Sequence, residues 1–275
     1  MKANTAIGIG VGIACVLLSV ILEGGNPMAL FEIPAFIIVI GGTFSATFAS
    51  TTMEQMKRVP ALYKKAFGGN NLEHHAAIQQ MVGMADKARR EGLLALEDQL
   101  VEVEDAYTRK GVQLVVDGTD SDLVRAILNS EIDGMAARHK ANAHVFATAG
   151  GFAPTLGIIG TVLGLVHVLE NLSNPSLLGH AIAGAFIATL YGVGSANLIF
   201  LPVANKLKEL AREELLYREM QLEGILSIQA GDNPRMLAEK LETYLAPGAR
   251  GPQDAPEQES ASSSSEFSQP AEVAA

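Results

Sequence analysis

Few side chains in this sequence sit where they could do chemistry. Thr161, Thr189 and Tyr191 are the polar groups near the middle of two long uncharged stretches. A threonine in such a place can simply bond back to its own helix. His167 lies near the end of the third uncharged stretch and reads as a packing or interfacial residue rather than a proton relay. His74-His75 are adjacent, so on a helix they point in different directions and make a poor metal pair. Gly8-Ile-Gly10-Val-Gly12 superficially resembles a dinucleotide loop, but no strand precedes it and helix packing is the better reading. Neither a phosphate-binding lysine loop nor a G-x-S-x-G elbow occurs. No catalytic constellation emerges, and neither an enzyme nor a bound cofactor or metal is expected. The informative absence is a carboxylate within the uncharged stretches. Proteins that carry protons or cations through a low-dielectric region normally use one. Either the chain conducts nothing, or a partner chain supplies the acid.

The elements that hold these residues follow from where charge is missing. The chain has 275 residues, 48% apolar and only 18% charged, with the charge very unevenly spread. Four windows lack Asp, Glu, Lys and Arg: Ala3–Leu22, Ile33–Met53, Ala141–Leu169 and Asn171–Asn205. About 20 helical residues cover the hydrocarbon core of a bilayer, so each window suffices. The first shows no small-residue cleavage site and is expected to be retained. The single cysteine, Cys15, excludes a disulfide framework, and the net charge of −10 argues against nucleic-acid binding. Residues 23–32 and 170–180 contain no Lys or Arg, whereas residues 54–140 contain twelve. With four spans, all 20 basic residues fall on one side, which the positive-inside rule places in the cytoplasm together with both termini.

The expected fold is an all-α integral membrane protein lying in the lipid bilayer. Residues 1–53 carry transmembrane helices 1 and 2 (about 3–22 and 33–53), and residues 54–140 a cytoplasmic helical domain. Residues 141–205 carry helices 3 and 4 (about 145–169 and 178–203), and residues 206–246 cytoplasmic C-terminal helices. Residues 247–275, rich in Pro, Ser, Glu and Ala, form a tail expected to be disordered. Thr119-Asp-Ser-Asp122 predicts a helix start, with Leu123, Ile127 and Met135 on its apolar stripe. Ala149, Ala153, Gly157 and Thr161 form a small-residue ladder, with Gly160 and Gly164 as a second one. Gly184, Ala188, Gly192 and Ala196 form another on the fourth span. Such ladders let helix backbones approach closely in lipid, so these two spans are expected to face protein. Pro154 and Pro202 invite kinks within them.

Several longer stretches carry a resemblance. They are Ala88-Arg-Arg-Glu-Gly-Leu-Leu-Ala-Leu-Glu97, Gly111-Val-Gln-Leu-Val-Val-Asp-Gly118, and Gly151-Phe-Ala-Pro-Thr-Leu-Gly-Ile-Ile-Gly-Thr-Val-Leu-Gly-Leu-Val166. Ala188-Thr-Leu-Tyr-Gly192 and Leu201-Pro-Val-Ala-Asn-Lys-Leu207 follow in order. Together they resemble the flagellar motor stator A subunits, the MotA/PomA family, within the wider MotA/TolQ/ExbB group, over about residues 1–246. The resemblance implies a bacterial inner-membrane homopentamer around a dimer of a MotB-type partner. That partner would supply the ion-carrying aspartate. Ion flow past it would turn the ring, which pushes the rotor protein FliG and drives flagellar rotation. The resemblance also implies residue roles. Thr161 and Thr189 would flank the ion pathway, Pro154 and Pro202 would shape a conformational step, and Arg89, Arg90 and Glu97 would face the rotor. A hydroxyl at Thr161 is similar to sodium-driven members, since an oxygen replaces part of a sodium hydration shell; His167 is more like proton-driven ones. Na+ is therefore favoured weakly over H+. Two rival readings are an ExbB/TolQ-like ion-driven energiser of an envelope partner and a non-conducting membrane scaffold.

Overall fold

A computed structural model describes residues 4–173 and 175–249. Among the described residues the regular elements are helices, without strands. Nine α-helices follow in order: α1 Asn4–Leu22, α2 Ile33–Ser50, α3 Met53–Gly68, α4 His74–Glu91, α5 Ala106–Val116, α6 Ser121–Glu170, α7 Pro175–Ser195, α8 Leu201–Ala230 and α9 Pro234–Glu242. Four helices are long and apolar enough to cross a membrane: α1, α2, α6, and the run from Leu178 to Ala230 that joins α7 to α8. From residue 250 onward the expected tail lies outside the described residues; Pro247–Ala249 form a short 3-10 turn.

Local chemistry sets the ends. Asn26 caps the turn after α1, its side chain accepting from the Met28 amide at 2.9 Å. Thr52 and Gln55 form a capping box at the start of α3. Asp120 caps α6 with Asp122 in the first turn, as the Thr119-Asp-Ser-Asp motif predicts. α4 ends at Gly92 with φ +89°, a conformation that favours glycine.

α6 is 50 residues long, about 75 Å, and runs unbroken through the border at residue 140. A π turn, Ala196–Phe200, joins α7 to α8, so this helix too passes from the apolar stretch into the charged one. The two long helices pair with each other along much of their length. At one end α4, α5, α9 and the 3-10 segment Leu93–Val101 pack around them in the main core, which includes Met81, Leu96, Leu128, Met220, Ile225 and Leu241. A second cluster joins α3 to the long pair through Leu62, Ala66, Phe146, Val203 and Leu207. Farther along, burial thins to small clusters: Ala149, Ala153, Ala196 and Phe200, then Ala35, Val39 and Ala188.

One expected stripe is displaced. Leu123 is 53% exposed, and the buried face of α6 is Val124, Leu128 and Ile132. Apolar residues occupy two adjacent rows at helical spacing here, and α5 and α8 cover the second row.

Polar groups brace the core. Asp105 caps α5, accepting from the Thr108 amide at 2.9 Å, and pairs with Arg218 at 2.7 Å. Burial raises its carboxyl pKa, but hydrogen bonds from Arg218 and Thr108 outweigh this and hold it below the usual carboxylate range. At the junction of α3, α6 and α8, Glu214 lies 3.3 Å from His139 Nε2 and 2.9 Å from Lys65 Nζ. Contact with His139, then Lys65, brings Glu214 down to about 2 against the opposing effect of burial. A depressed carboxylate contributes stability that is full above its unfolded value and lost as pH falls through its folded one. Glu214→Gln is therefore expected to cost about 1–3 kcal/mol at pH 7, after allowing for solvent screening. The gap in melting temperature from the unsubstituted chain should close as the pH falls from about 4.5 towards about 2. A gap independent of pH would exclude the charge as its source.

Candidate functional site

Lipid tails are as apolar as leucine, so helices within them associate by close packing rather than by hydrophobic burial. The α6–α7 pair follows that rule. A Cβ on Gly157 would lie 2.9 Å from the Ala188 carbonyl oxygen, and one on Gly192 would lie 2.5 Å from that of Ala153. Cβ atoms on Gly160 and Gly164 would meet the Cβ atoms of Ala188 and Ala185 at 2.7 and 2.6 Å. The ladders thus face each other inside one chain. They seal α6 to α7 and leave the bulkier Ile158, Ile159, Val162 and Val166 exposed.

That approach brings the two threonines together. Thr161 and Thr189 hydroxyls are in hydrogen-bond contact. Thr161 Oγ1 also lies 3.0 Å from the Gly157 carbonyl oxygen and 3.1 Å from that of Ala185. Each hydroxyl has one hydrogen and two lone pairs. With Thr161 donating to a carbonyl, Thr189 donates to Thr161, and oxygen lone pairs on both remain unused by these bonds. Thr161 therefore bonds back to its own helix and also stitches the two helices together.

The prolines lie one layer away. α6 stays α-helical through Pro154, whereas the π turn Ala196–Phe200 immediately precedes Pro202. Pro202 has no N–H to give to the turn of helix before it. Four residues before Pro154 lies Gly150, whose missing side chain admits Leu201: a Cβ there would lie 2.7 Å from Leu201 Cδ2.

The sequence places Glu32 just outside the second span, and the structure sets its carboxylate deeper. Its side-chain carbons lie 3.5 Å from a Cβ position on Gly184, some nine residues into α7, about 14 Å along that helix. Glu32 is 21% exposed, 3.9 Å from His180 Nε2. Tyr191 holds the local backbone: its hydroxyl donates to the Leu30 carbonyl and accepts from the Glu32 amide at 3.3 Å. Tyr191 is thus a fastening for the start of α2 rather than a mid-span polar group. Glu32, His167, Asn171 and His180 line the mouth of a cleft of about 490 Å³ between α2 and the α6–α7 pair. Only folding brings Glu32 and His180 together, so no sequence spacing announces them.

Arg89 and Arg90 occupy the last exposed turn of α4, and Glu97 is exposed on the 3-10 segment beyond Gly92. Arg90 pairs with Asp86 at 2.9 Å on its own helix. Leu94 and Val101, 72% and 87% exposed, share this surface segment, though their apolar character gives no sign of exposure in the sequence. His74 stacks edge-on against Tyr217 with ring centroids 5.0 Å apart, a packing role. No group of three or more His, Cys, Asp or Glu able to hold a metal occurs among the described residues.

These features define an α-helical membrane protein whose last two candidate spans run into a helical body and meet through backbone contact. Comparisons with known proteins agree. Residues 6–92 match the family described as motility protein A N-terminal, and residues 99–220 match the MotA/TolQ/ExbB proton channel family. The chain is 40% identical over 250 residues to motility protein A of Borreliella burgdorferi, covering 91% of this chain and 96% of that protein. It is 37% identical to chemotaxis protein PomA of Vibrio alginolyticus, covering 91% and 98%. Among solved structures it is similar to C. jejuni MotAB, with a TM-score of 0.85 and 30% identity over 90% of this chain and 96% of that one. The flagellar MotAB stator complex from Bacillus subtilis gives 0.83 and 38% over 88% and 96%. The chain belongs to the MotA/TolQ/ExbB proton channel family, and its relatives there are the MotA and PomA proteins of the flagellar stator.

The packing makes a paired test. Gly192→Ala drives a Cβ into backbone and is expected to cost about 1–3 kcal/mol. Gly194→Ala, two residues on and facing open space, should leave thermal melting in detergent unchanged. Equal melting of the two variants would rule out the tight α6–α7 contact.

Proposed function

We propose that this chain is the ion-driven stator subunit of a flagellar motor. Five copies would surround a dimer of a MotB-type partner in the bacterial inner membrane, with both termini in the cytoplasm. The observation that carries the reading is the Thr161–Thr189 pair: hydroxyls from two spans converge in a wall whose own spans contain no Asp or Glu from Ala141 to Leu169 or from Pro175 to Ser195. Such a wall can coordinate a passing cation by its oxygens but needs an acid from elsewhere to carry it. The exposed apolar row on α6 fits cover by neighbouring copies and the partner helix. Ion passage supplies about 2.3 kcal/mol per charge per 100 mV, plus the concentration term. Arg89, Arg90 and Glu97 would transmit it to FliG by charge complementarity, with Leu94 and Val101 adding apolar contact. Two hydroxyl oxygens side by side favour Na+ over H+.

Swimming speed measured against external sodium at fixed pH tests the ion. Speed is expected to rise with sodium and to fall in Thr161→Ala; speed that follows only the proton gradient would overturn the sodium assignment. Pro154→Ala is expected to abolish swimming while the complex still assembles, and a motile Pro154→Ala strain would remove that residue from the mechanism. Reversing the charges of Arg89, Arg90 and Glu97 together should weaken FliG capture at low salt. Absence of any FliG binding by the unsubstituted complex would favour an ExbB/TolQ-like energiser.

A further inference from the structure

We propose that the cleft between α1 and the α2–α7 wall binds one acyl chain of an aminophospholipid whose ammonium headgroup pairs with Glu32. The proposal rests on these helices being membrane spans and is independent of ion flow and torque. Among the described residues α1 is fastened to the wall around Ile9 and Gly12. Ile9 packs on the Leu62–Phe146–Val203 cluster, and a Cβ on Gly12 would touch Leu198 Cδ2 at 2.9 Å. Beyond Gly12 the helix separates from the wall. Ile13 and Leu17 then face Phe36, Ile40 and Leu198 across an open apolar cleft of about 630 Å³, within the usual size of a ligand site.

Dimensions and charge choose the occupant. From Glu32 to Ile40 the cleft follows α2 for about 12 Å, close to the roughly 15 Å of hydrocarbon in one leaflet. A transmembrane helix from a second copy is about 10 Å across and would bring no cation to Glu32, because the four uncharged windows of this sequence contain no Lys or Arg. An acyl chain is slimmer and has the right chemistry. The polar groups lining the cleft are Glu32, Tyr191 and Ser195. The Tyr191 hydroxyl is committed to Leu30 and Glu32, and the Ser195 hydroxyl donates to the Gly192 carbonyl at 3.3 Å. Among the described residues the Glu32 carboxyl lies against Gly184 and 3.9 Å from Nε2 of the largely exposed His180 ring, at the edge shared by this cleft and the one beside the α6–α7 pair. Residues 23–32 and 170–180 carry Glu23, Glu32 and Glu170 and no Lys or Arg, so this rim attracts an ammonium group and repels a net-anionic headgroup.

Native mass spectrometry of the full chain in detergent, titrated with palmitoyl-oleoyl phosphatidylethanolamine or phosphatidylglycerol, tests this. One phosphatidylethanolamine should be retained per chain, about fivefold over phosphatidylglycerol, a ratio expected for one charge-assisted contact at a wet rim. Glu32→Gln should abolish the preference while both lipids still bind. Gly194 lines the cleft, and a Cβ there meets open space, so Gly194→Leu fills the cleft without disturbing backbone contacts and should expel both lipids. Equal retention of the two lipids by the unsubstituted chain would overturn the headgroup pairing. Unchanged retention in Gly194→Leu would overturn the site, and loss of oligomers in that variant with lipid retained would assign the cleft to a second copy. Swimming assays report on the stator reading separately, so failure of one does not mimic failure of the other.

Discussion

Everything in the membrane half of this molecule depends on how closely two backbones approach. Hydrocarbon offers helices no hydrophobic reason to associate, so α6 and α7 hold together only where side chains are small enough for dense contact. Gly157 and Gly192 meet opposite backbone atoms, and Gly160 and Gly164 meet the alanines at 188 and 185. That contact fixes the spacing at which Thr161 reaches both Thr189 and the Ala185 carbonyl. Widen it by one methyl group and the hydroxyl pair separates. The polar feature that marks the site is thus a consequence of the apolar packing around it.

The other half of the molecule is built on different physics. Around α4, α5, α9 and the ends of the long helices, burial in water supplies the drive, and large side chains such as Met81, Leu128, Met220 and Ile225 fill the core. Charged groups that must be buried there are paired. Asp105 takes Arg218 and the Thr108 amide, and Glu214 takes Lys65 and His139. The Glu214 cluster ties α3 to both long helices where the apolar stretch gives way to the charged one, fastening the helical body at the base of the spans.

Much of this was legible in the sequence because it is written in composition and short-range spacing. Four charge-free windows, the small-residue ladders and the Asp120 cap depend on neighbours within one helix, and each is found where its pattern places it. What the ladders touch was less legible. Their pattern says that a close neighbour exists, and the neighbour proves to be the adjacent span of the same chain. The buried row of α6 lies one position from the expected one because Leu123 and Val124 begin equally plausible apolar rows, and only the covering helices decide between them. The depth of Glu32 was hidden for a related reason. Its place along the chain is next to a turn, but its height is set by α7 extending past the start of α2. The π turns at Ile37–Gly41 and Ala196–Phe200 have no residue signature beyond the nearby prolines.

The two prolines acquire a shared meaning from this arrangement. Gly150, four residues before Pro154, packs against Leu201, the neighbour of Pro202. The α6 residues Ala149 and Ala153 pack with Ala196 and Phe200 of the π turn in the same layer. The N–H groups that Pro154 and Pro202 lack therefore weaken both long helices at one height, between the threonine pair and the Glu214 cluster. Above that layer the helices are locked by glycine contacts, and below it they are embedded in the helical body. On the proposed function, a force arising at the threonines would reach the body through two stiff rods with adjacent weak points, so bending concentrated there would move the two helices together rather than shear them apart.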